Sequence, residues 1–466
     1  MSNIFGIQNG MVLQRDVNTN TCSVIAVIEG YSNPIASIGK LELINSNTYR
    51  LTGIPTGGPY NLQIYDQRTT ASFDDLWVGD VWLLGGQSNM EGYGEMRESD
   101  FLYDQSPVPQ IRAFHLDNNW RIAKTRIHFQ WANVNTALSR KWICENGFEH
   151  TDSQNLSEDN CGVGPGLFIA KYLFEQTGVP QGLIPCAFGG SCMDDWSPDN
   201  HTATSLYQSM LHRFKACGSN ARGIFWYQGE ADFGWIRSQH FTEKMIHFIN
   251  SLRNDFSIPN LPFVQAQIGL SQIYDQAQLD NMIAWAKFRQ QQAELHKYIP
   301  YLSTISVANT YRHDMIHLDA NSQEQIGKNF AMEMLSLLGN LDQKSPTLRS
   351  ITLQEMKGHL YRGQTAIVLT YDNVIGSLTS YGHPYGYSVT LFDEIPYLSP
   401  YKGIRTIKLS GNQVFIVTEY TYEQLEHAYV WYSAGCNTVS TIQDSAGRSP
   451  LAMGPVPVIS KHNHCG

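Results

Sequence analysis

Several things are scarce in this 466-residue sequence, and each scarcity removes a class of function. No stretch approaches 18 uninterrupted apolar residues, so no membrane span is expected. The opening, "MSNIFGIQNGMVLQRD", lacks a basic segment followed by an apolar core. No signal peptide is therefore read there, and the default compartment is cytoplasmic, although a secreted or periplasmic mature form would look the same. Charge is sparse at 16% of residues, against an ordinary share of about a quarter. The net charge is −10 and no basic run exists, which argues against a nucleic-acid partner. The eight cysteines (22, 144, 161, 186, 192, 217, 436 and 465) form no C-x-x-C pair, which removes zinc knuckles and thioredoxin-like sites. Sequons at Asn155 and Asn200 carry little weight without a secretion signal. Internal repeats and low-complexity tracts are absent as well.

What is plentiful is apolar material, at 42%, and aromatic rings, at 12%. The length allows two to four domains and a sizeable core. A polar, weakly charged, aromatic-rich surface suits sugars. The hydrophobic period divides the chain into three zones. Residues 1–75 alternate in short runs such as "CSVIAVIEG" and "YNLQIYD", which predicts a small N-terminal antiparallel β domain.

From 76 to 340, short apolar runs alternate with segments of helical period. The strands are "LWVGDVWLLG", "QGLIPCAF", "ARGIFWYQG", "PFVQAQIGL" and "LSTISVAN". The helices include "GLFIAKYLFEQTG", "FTEKMIHFINSLRNDF" and "SQEQIGKNFAMEMLSLLG". This alternation predicts a parallel sheet covered on both faces, with ligands at the carboxyl ends of its strands. The stretch from Arg97 to Val163 shows no regular pattern, and its Trp120, Trp131, Trp142 and three histidines suggest an ordered insertion near the site. From 345 to 466 the period returns to two, which predicts a C-terminal β domain.

Polar groups stand at the strand ends of the middle zone. Ser88 ends the first strand on a turn loosened by Gly85 and Gly86. Gly189 and Gly190 follow the second, where backbone N–H groups can be left exposed. Gln228 follows the third as an uncharged side-chain donor, beside Glu230 and Asp232, which read equally well as solvated loop carboxylates. After the fifth comes "YRHDMIHLDANSQEQIG", where Asp314 and His317 are three residues apart. A carboxylate so placed can fix an imidazole tautomer while the other nitrogen faces a serine. His313 and Asp319 compete for those roles. Each signal alone reads equally as turn chemistry; four at one sheet edge, in one order, read as a hydrolytic site.

The blocks "GDVWLLGGQSNMEG", "GLIPCAFGGSCMDDW" and "WYQGEAD", with "GMVLQRD" near Met11, resemble the SGNH-hydrolase superfamily. More narrowly, they resemble its sialate O-acetylesterase and acetylxylan-esterase branch, over most of residues 5–340. The resemblance implies an α/β fold with a flavodoxin-like three-layer parallel sheet, flanked by N- and C-terminal β domains. It implies Ser88 as nucleophile, His317 as general base and Asp314 as orienting acid. The oxyanion would be met by the N–H groups of Ser88 and Gly190 and by Gln228, which stands where the superfamily name expects asparagine. Leu318 replaces a proline often found after the histidine. The expected substrate is an acetylated carbohydrate, an O-acetylated sialic acid or acetylated xylan, and the reaction needs no metal and no cofactor. Tyr93, Trp196, Phe233 and Trp235 are candidate stacking walls for the sugar, or else core. Two alternatives stay open: hydrolysis of another small ester or thioester, and a carbohydrate-binding relative without activity.

Overall fold

The computed structural model describes residues 3–95, 107–125, 127–128, 162–232, 235–271, 279–340, 344–357, 363–391, 402–436 and 439–459. The protein is mixed α/β and has two compact units, each assembled from separate stretches of chain. The first unit takes in Met1–Ala231, Glu243–Val264 and His317–Met334; the second takes in Asp232–Thr242, Gln265–Ile316 and Leu335–Gly466.

In the first unit the N-terminal strands Thr21–Glu29, Lys40–Asn45 and Thr48–Pro55 pair antiparallel. Thr21–Glu29 alternates buried and half-buried residues, as a sheet with one covered face requires. The strand that follows, Thr70–Gly86, is 17 residues long and changes character along its length. Residues 70–75 alternate, whereas 76–86 are all buried. The expected boundary at residue 75 falls inside this strand, because its first part pairs antiparallel with Gly57–Tyr65 and its second is flanked by parallel neighbours. Val12–Gln14 adds a further parallel strand beside Trp77–Gly79. The pair is tied by Arg15 Nε to Asp80 at 2.8 Å and by Val81 N–H to Gln14 Oε1 at 2.7 Å.

The buried half of the long strand is the centre of the sheet. Gln181–Pro185 runs parallel on one side, with Pro185 opposite Leu84, and Gly223–Tyr227 runs parallel on the other, with Tyr227 opposite Gly86. Ile111–Phe114 lies parallel beyond Gln181–Pro185 and forms a hairpin with Trp120–Ile122. These two strands lie within the Arg97–Val163 stretch that shows no period; at four and three residues they are too short for one to show. Trp131 and Trp142 lie outside the described residues. Phe263–Ala266 and Leu302–Ile305 are the two further strands of the middle zone. All five expected strands and the expected helices are present, the latter including Gly166–Thr177, Phe241–Asp255 and Ala320–Leu337. Gly166–Thr177 stops where expected, on Gly178 at φ 67°, whose N–H returns to the Phe174 carbonyl.

Among the described residues, the second unit holds three antiparallel sheets of four, three and two strands beyond residue 345. Their shared core includes Ile367, Leu369, Val389, Val414, Ile416 and Val430. Buried Arg289, on the helix Leu279–Glu294, donates to the carbonyls of Ser433 and Gly435, and Gln267 exchanges hydrogen bonds with the backbone of Ala452. Residues 265–316 thus pack with the β region that the sequence pattern separates near 340.

Because the three central strands are parallel and in register, their carboxyl ends share one edge. That edge depends on Gly86, whose φ is 129° and where an added Cβ would lie 2.1 Å from the Tyr227 carbonyl oxygen. The variant Gly86→Ala is expected to lose about 2 kcal/mol or more of stability through backbone strain and overlap. Thermal melting checks this; an unchanged melting temperature would show that the turn relaxes at no cost.

Candidate active site

Three strand ends deliver the polar blocks to one place. At the end of Thr70–Gly86, the Gln87 N–H still bonds to the Tyr227 carbonyl at 2.9 Å, and the chain then turns into a four-residue helix, Ser88–Glu91. Ser88 is 7% exposed, enough to meet a small group arriving from the edge. Among the described residues, the N–H groups of Ser88 and Gly190 have no intramolecular acceptor. Gly190 has φ 77° and open space where a Cβ would be, so the glycine is needed for its backbone angle rather than for room.

Side chains of the serine block bind the other blocks. Gln87 Oε1 accepts from the N–H groups of Gly229 and Ala231, both at 3.2 Å. Glu91 Oε2 accepts from the Gly189 N–H at 2.6 Å, which fixes the turn just before Gly190. Asn89 makes three ties. Its Nδ2 donates to Glu230 Oε1 at 2.8 Å, its Oδ1 accepts from the Leu318 N–H at 3.0 Å, and its carbonyl accepts from Gln323 Nε2 at 3.1 Å. The residue after Ser88 is therefore bonded to the residue after His317.

His317 is half-buried, and its ring stacks on Tyr93 at a centroid distance of 4.9 Å and 22° between planes. Asp314 is exposed; its Oδ1 accepts from the Ile316 N–H at 2.7 Å and its Oδ2 lies 3.6 Å from His313 Nε2. The competitor Asp319 is buried and caps the helix Ala320–Leu337, accepting from the Ser322 N–H at 2.8 Å. Gln228 is fully buried, and its Nε2 donates to the Ser191 carbonyl at 3.1 Å, one residue past Gly190.

Two readings from the sequence are corrected. Glu230 and Asp232 are not solvated loop carboxylates: they are 3% and 0% exposed. Trp196 is core rather than a sugar wall. It has no exposure, its Nε1 donates to Ser191 Oγ at 2.9 Å, and it meets Trp226 edge-on at 5.0 Å. Phe233 lies outside the described residues; Trp235 begins the helix Trp235–Gln239, and its side chain lies outside them too.

His128 is one of the three histidines of the Arg97–Val163 stretch, and no motif singles it out. It is buried behind the second block, and its Nε2 accepts from the Ala187 N–H at 3.3 Å. Burial, helped by the Arg213 charge, pushes its imidazole down to about 3. At neutral pH it is therefore uncharged and can keep accepting that bond. Asn89, Gln87 and Glu91 also went unread, although they lie inside the quoted serine block. A polar run on a turn that follows eleven buried residues was the available signal.

The chain resembles known proteins in sequence and in fold. The profile of the family described as carbohydrate esterase, sialic acid-specific acetylesterase matches residues 78–336. The chain is 27% identical over 267 residues to a probable carbohydrate esterase of Arabidopsis thaliana, covering 55% of this chain and 90% of that protein. It is 22% identical over 281 residues to the sialate O-acetylesterases of Pongo abelii and Homo sapiens, covering 49% of this chain and 48% of each of theirs. It thus spans about half the length of those two relatives. The crystal structure of a carbohydrate acetylesterase from Xanthomonas citri aligns over 97% of this chain and 99% of its own, with a TM-score of 0.68 and 19% identity. That likeness is one of fold.

Replacing Asn89 with alanine strands the buried Glu230 carboxylate and the Leu318 N–H. The expected cost is about 2–4 kcal/mol of stability, together with at least a tenfold loss of ester hydrolysis as Ser88 and the His317 loop lose register. Melting curves and steady-state kinetics check both; wild-type values in each would mean that the ties are incidental.

Proposed function

The chain belongs to the carbohydrate esterase family of sialic acid-specific acetylesterases, and from that premise we propose that it removes O-acetyl groups from a carbohydrate through an acetyl-serine intermediate on Ser88. One observation carries the reading. Ser88 presents a hydroxyl and an N–H at the sheet edge, and the Asn89–Leu318 bond holds its turn against the loop of His317. The parallel order of the central strands, with the polar blocks at their carboxyl ends, supports the flavodoxin-like SGNH layout. In this reading N- and C-terminal β regions flank the catalytic zone.

The chemistry follows from the groups present. Ser88 Oγ attacks the acetyl carbonyl carbon while His317 takes its proton, since a neutral hydroxyl is a weak nucleophile. The carbonyl oxygen becomes negative and is met by the N–H groups of Ser88 and Gly190. Gln228, whose Nε2 donates to the Ser191 carbonyl beside this turn, is our third oxyanion donor. The tetrahedral species collapses, the sugar oxygen leaves with the proton from His317, and the acetyl group stays on Ser88. Water, deprotonated by His317, then releases acetate and restores the serine. Asp314, three residues before His317, is our orienting acid, its role being to hold the imidazole tautomer. The sugar is an O-acetylated sialic acid or an acetylated xylan unit, bound outside the sheet edge.

The variant Ser88→Ala is expected to abolish acetate release, since loss of the serine in a comparable triad costs about 10⁶ in rate. His317→Ala should lose more activity than Asp314→Ala, because the base moves the proton and the acid only orients it. Acetate release from a panel of acetylated sialosides and xylo-oligosaccharides measures both and reports the preferred sugar. More than a few per cent of wild-type turnover in Ser88→Ala would overturn the nucleophile, and full activity in His317→Ala would move the base to His313. For Gln228→Ala, an oxyanion donor predicts kcat lower by about 10²-fold at nearly constant KM. A raised KM at constant kcat would instead make Gln228 part of the sugar pocket.

A further inference from the structure

Tyr93 stands where an aromatic wall for the sugar is expected, yet its position suits a different task. Its ring lies on the imidazole of His317, 4.9 Å away and nearly parallel to it at 22°. Its hydroxyl reaches the other functional loop: a Cβ built on Gly189 would lie 3.1 Å from Tyr93 Oη and 2.9 Å from Glu91 Oε2. The phenol therefore fills the space between the candidate base and the glycine turn that precedes Gly190. One of its faces is already covered by His317 itself. Just upstream, Gly92 closes the short Ser88–Glu91 helix at φ 115°, so the chain that carries the nucleophile delivers Tyr93 a few residues later.

We propose that Tyr93 is a positioning residue for His317, a platform that holds the imidazole in its working plane and favours the charged ring formed when Ser88 gives up its proton. The inference rests on His317 being the base, and deepens that assignment. Two anchors act on the histidine from different directions. The Asn89 side chain holds the backbone one residue later, through the Leu318 N–H. The Tyr93 face holds the ring. A flat aromatic face attracts a cation more than a neutral ring, so the contact strengthens as His317 takes the proton. An interaction that is stronger in the transition state than in the ground state raises kcat rather than lowering KM. A sugar-stacking wall would do the reverse.

The test is a set of variants assayed on p-nitrophenyl acetate and on one acetylated sugar: Tyr93→Phe, Tyr93→Leu, His317→Ala, and Tyr93→Leu combined with His317→Ala. Tyr93→Leu is expected to lower kcat about tenfold on both substrates with KM within about twofold, which is the scale of a partly desolvated cation–ring contact. Tyr93→Phe keeps the face and should retain at least about half of wild-type kcat. In the His317→Ala background the Tyr93→Leu change should cost nothing further, because the ring would have nothing to act on. Tyr93→Met replaces Tyr93→Leu should melting show the latter unfolded. A raised KM for the sugar with kcat unchanged overturns the inference in favour of a stacking wall, and an equal loss from Tyr93→Leu with or without His317 overturns it in favour of a general packing role. Wild-type activity in His317→Ala overturns the base assignment, and this inference with it; wild-type kcat in Tyr93→Leu beside an inactive His317→Ala overturns this inference alone.

Discussion

The side-chain amide of Asn89 donates to buried Glu230 and accepts from the Leu318 N–H, while its carbonyl takes a third bond from Gln323. A helix of four residues, such as Ser88–Glu91, cannot hold a serine in place through its own hydrogen bonds. Here the turn is fixed from outside. Gln87 grips the loop after Gly223–Tyr227, Glu91 grips the loop after Gln181–Pro185, and Asn89 grips the loop that leads into Ala320–Leu337. All three grips come from residues within three positions of Ser88, so a displacement of that turn would be felt at every other block. The three bonds of Asn89 are buried, where an unmade one costs more than a made one contributes, and that asymmetry locks the geometry.

The same economy appears beneath the site. Neutral His128 accepts from Ala187 just ahead of the glycine turn, and Gln228 donates to Ser191 just behind it. Gly190 is thus bracketed by two side chains that carry no charge at neutral pH. The N–H of Gly189, just before it, is engaged by the Glu91 carboxylate. In the proposed reaction the Gly190 N–H would meet the substrate oxygen, and a donor held in place beforehand needs no reorganisation when charge develops there.

Much of this was legible in advance, for physical reasons that differ from element to element. The central strands announce themselves because they are buried on both faces, so residues 81–86, 181–185 and 223–227 read as apolar runs ended by polar turns. Helices such as Gly166–Thr177 carry a period and a glycine stop. The boundary near 75 falls within one strand, whose change from alternating to continuous burial looks in sequence like a change of domain. Trp196 reads as sugar wall or core because composition cannot tell an aromatic at the mouth of a site from one in the core; its indole needs a buried partner and finds Ser191 Oγ. Glu230 was misjudged for the same reason in reverse. A carboxylate after Gly229 looks solvated until Asn89, 141 residues away in the chain, is seen to donate to it. Long-range polar pairing leaves no period in a sequence.

The account stands on Ser88 being an activated nucleophile, and the most direct test is covalent. A fluorophosphonate reacts with a serine hydroxyl only where a base takes its proton and donors stabilise the charged oxygen. Treated protein should lose ester hydrolysis in step with the uptake of one label per chain, and peptide mass spectrometry should find that label on Ser88. Full activity after stoichiometric labelling, or loss of activity with the label on any other residue, would contradict it.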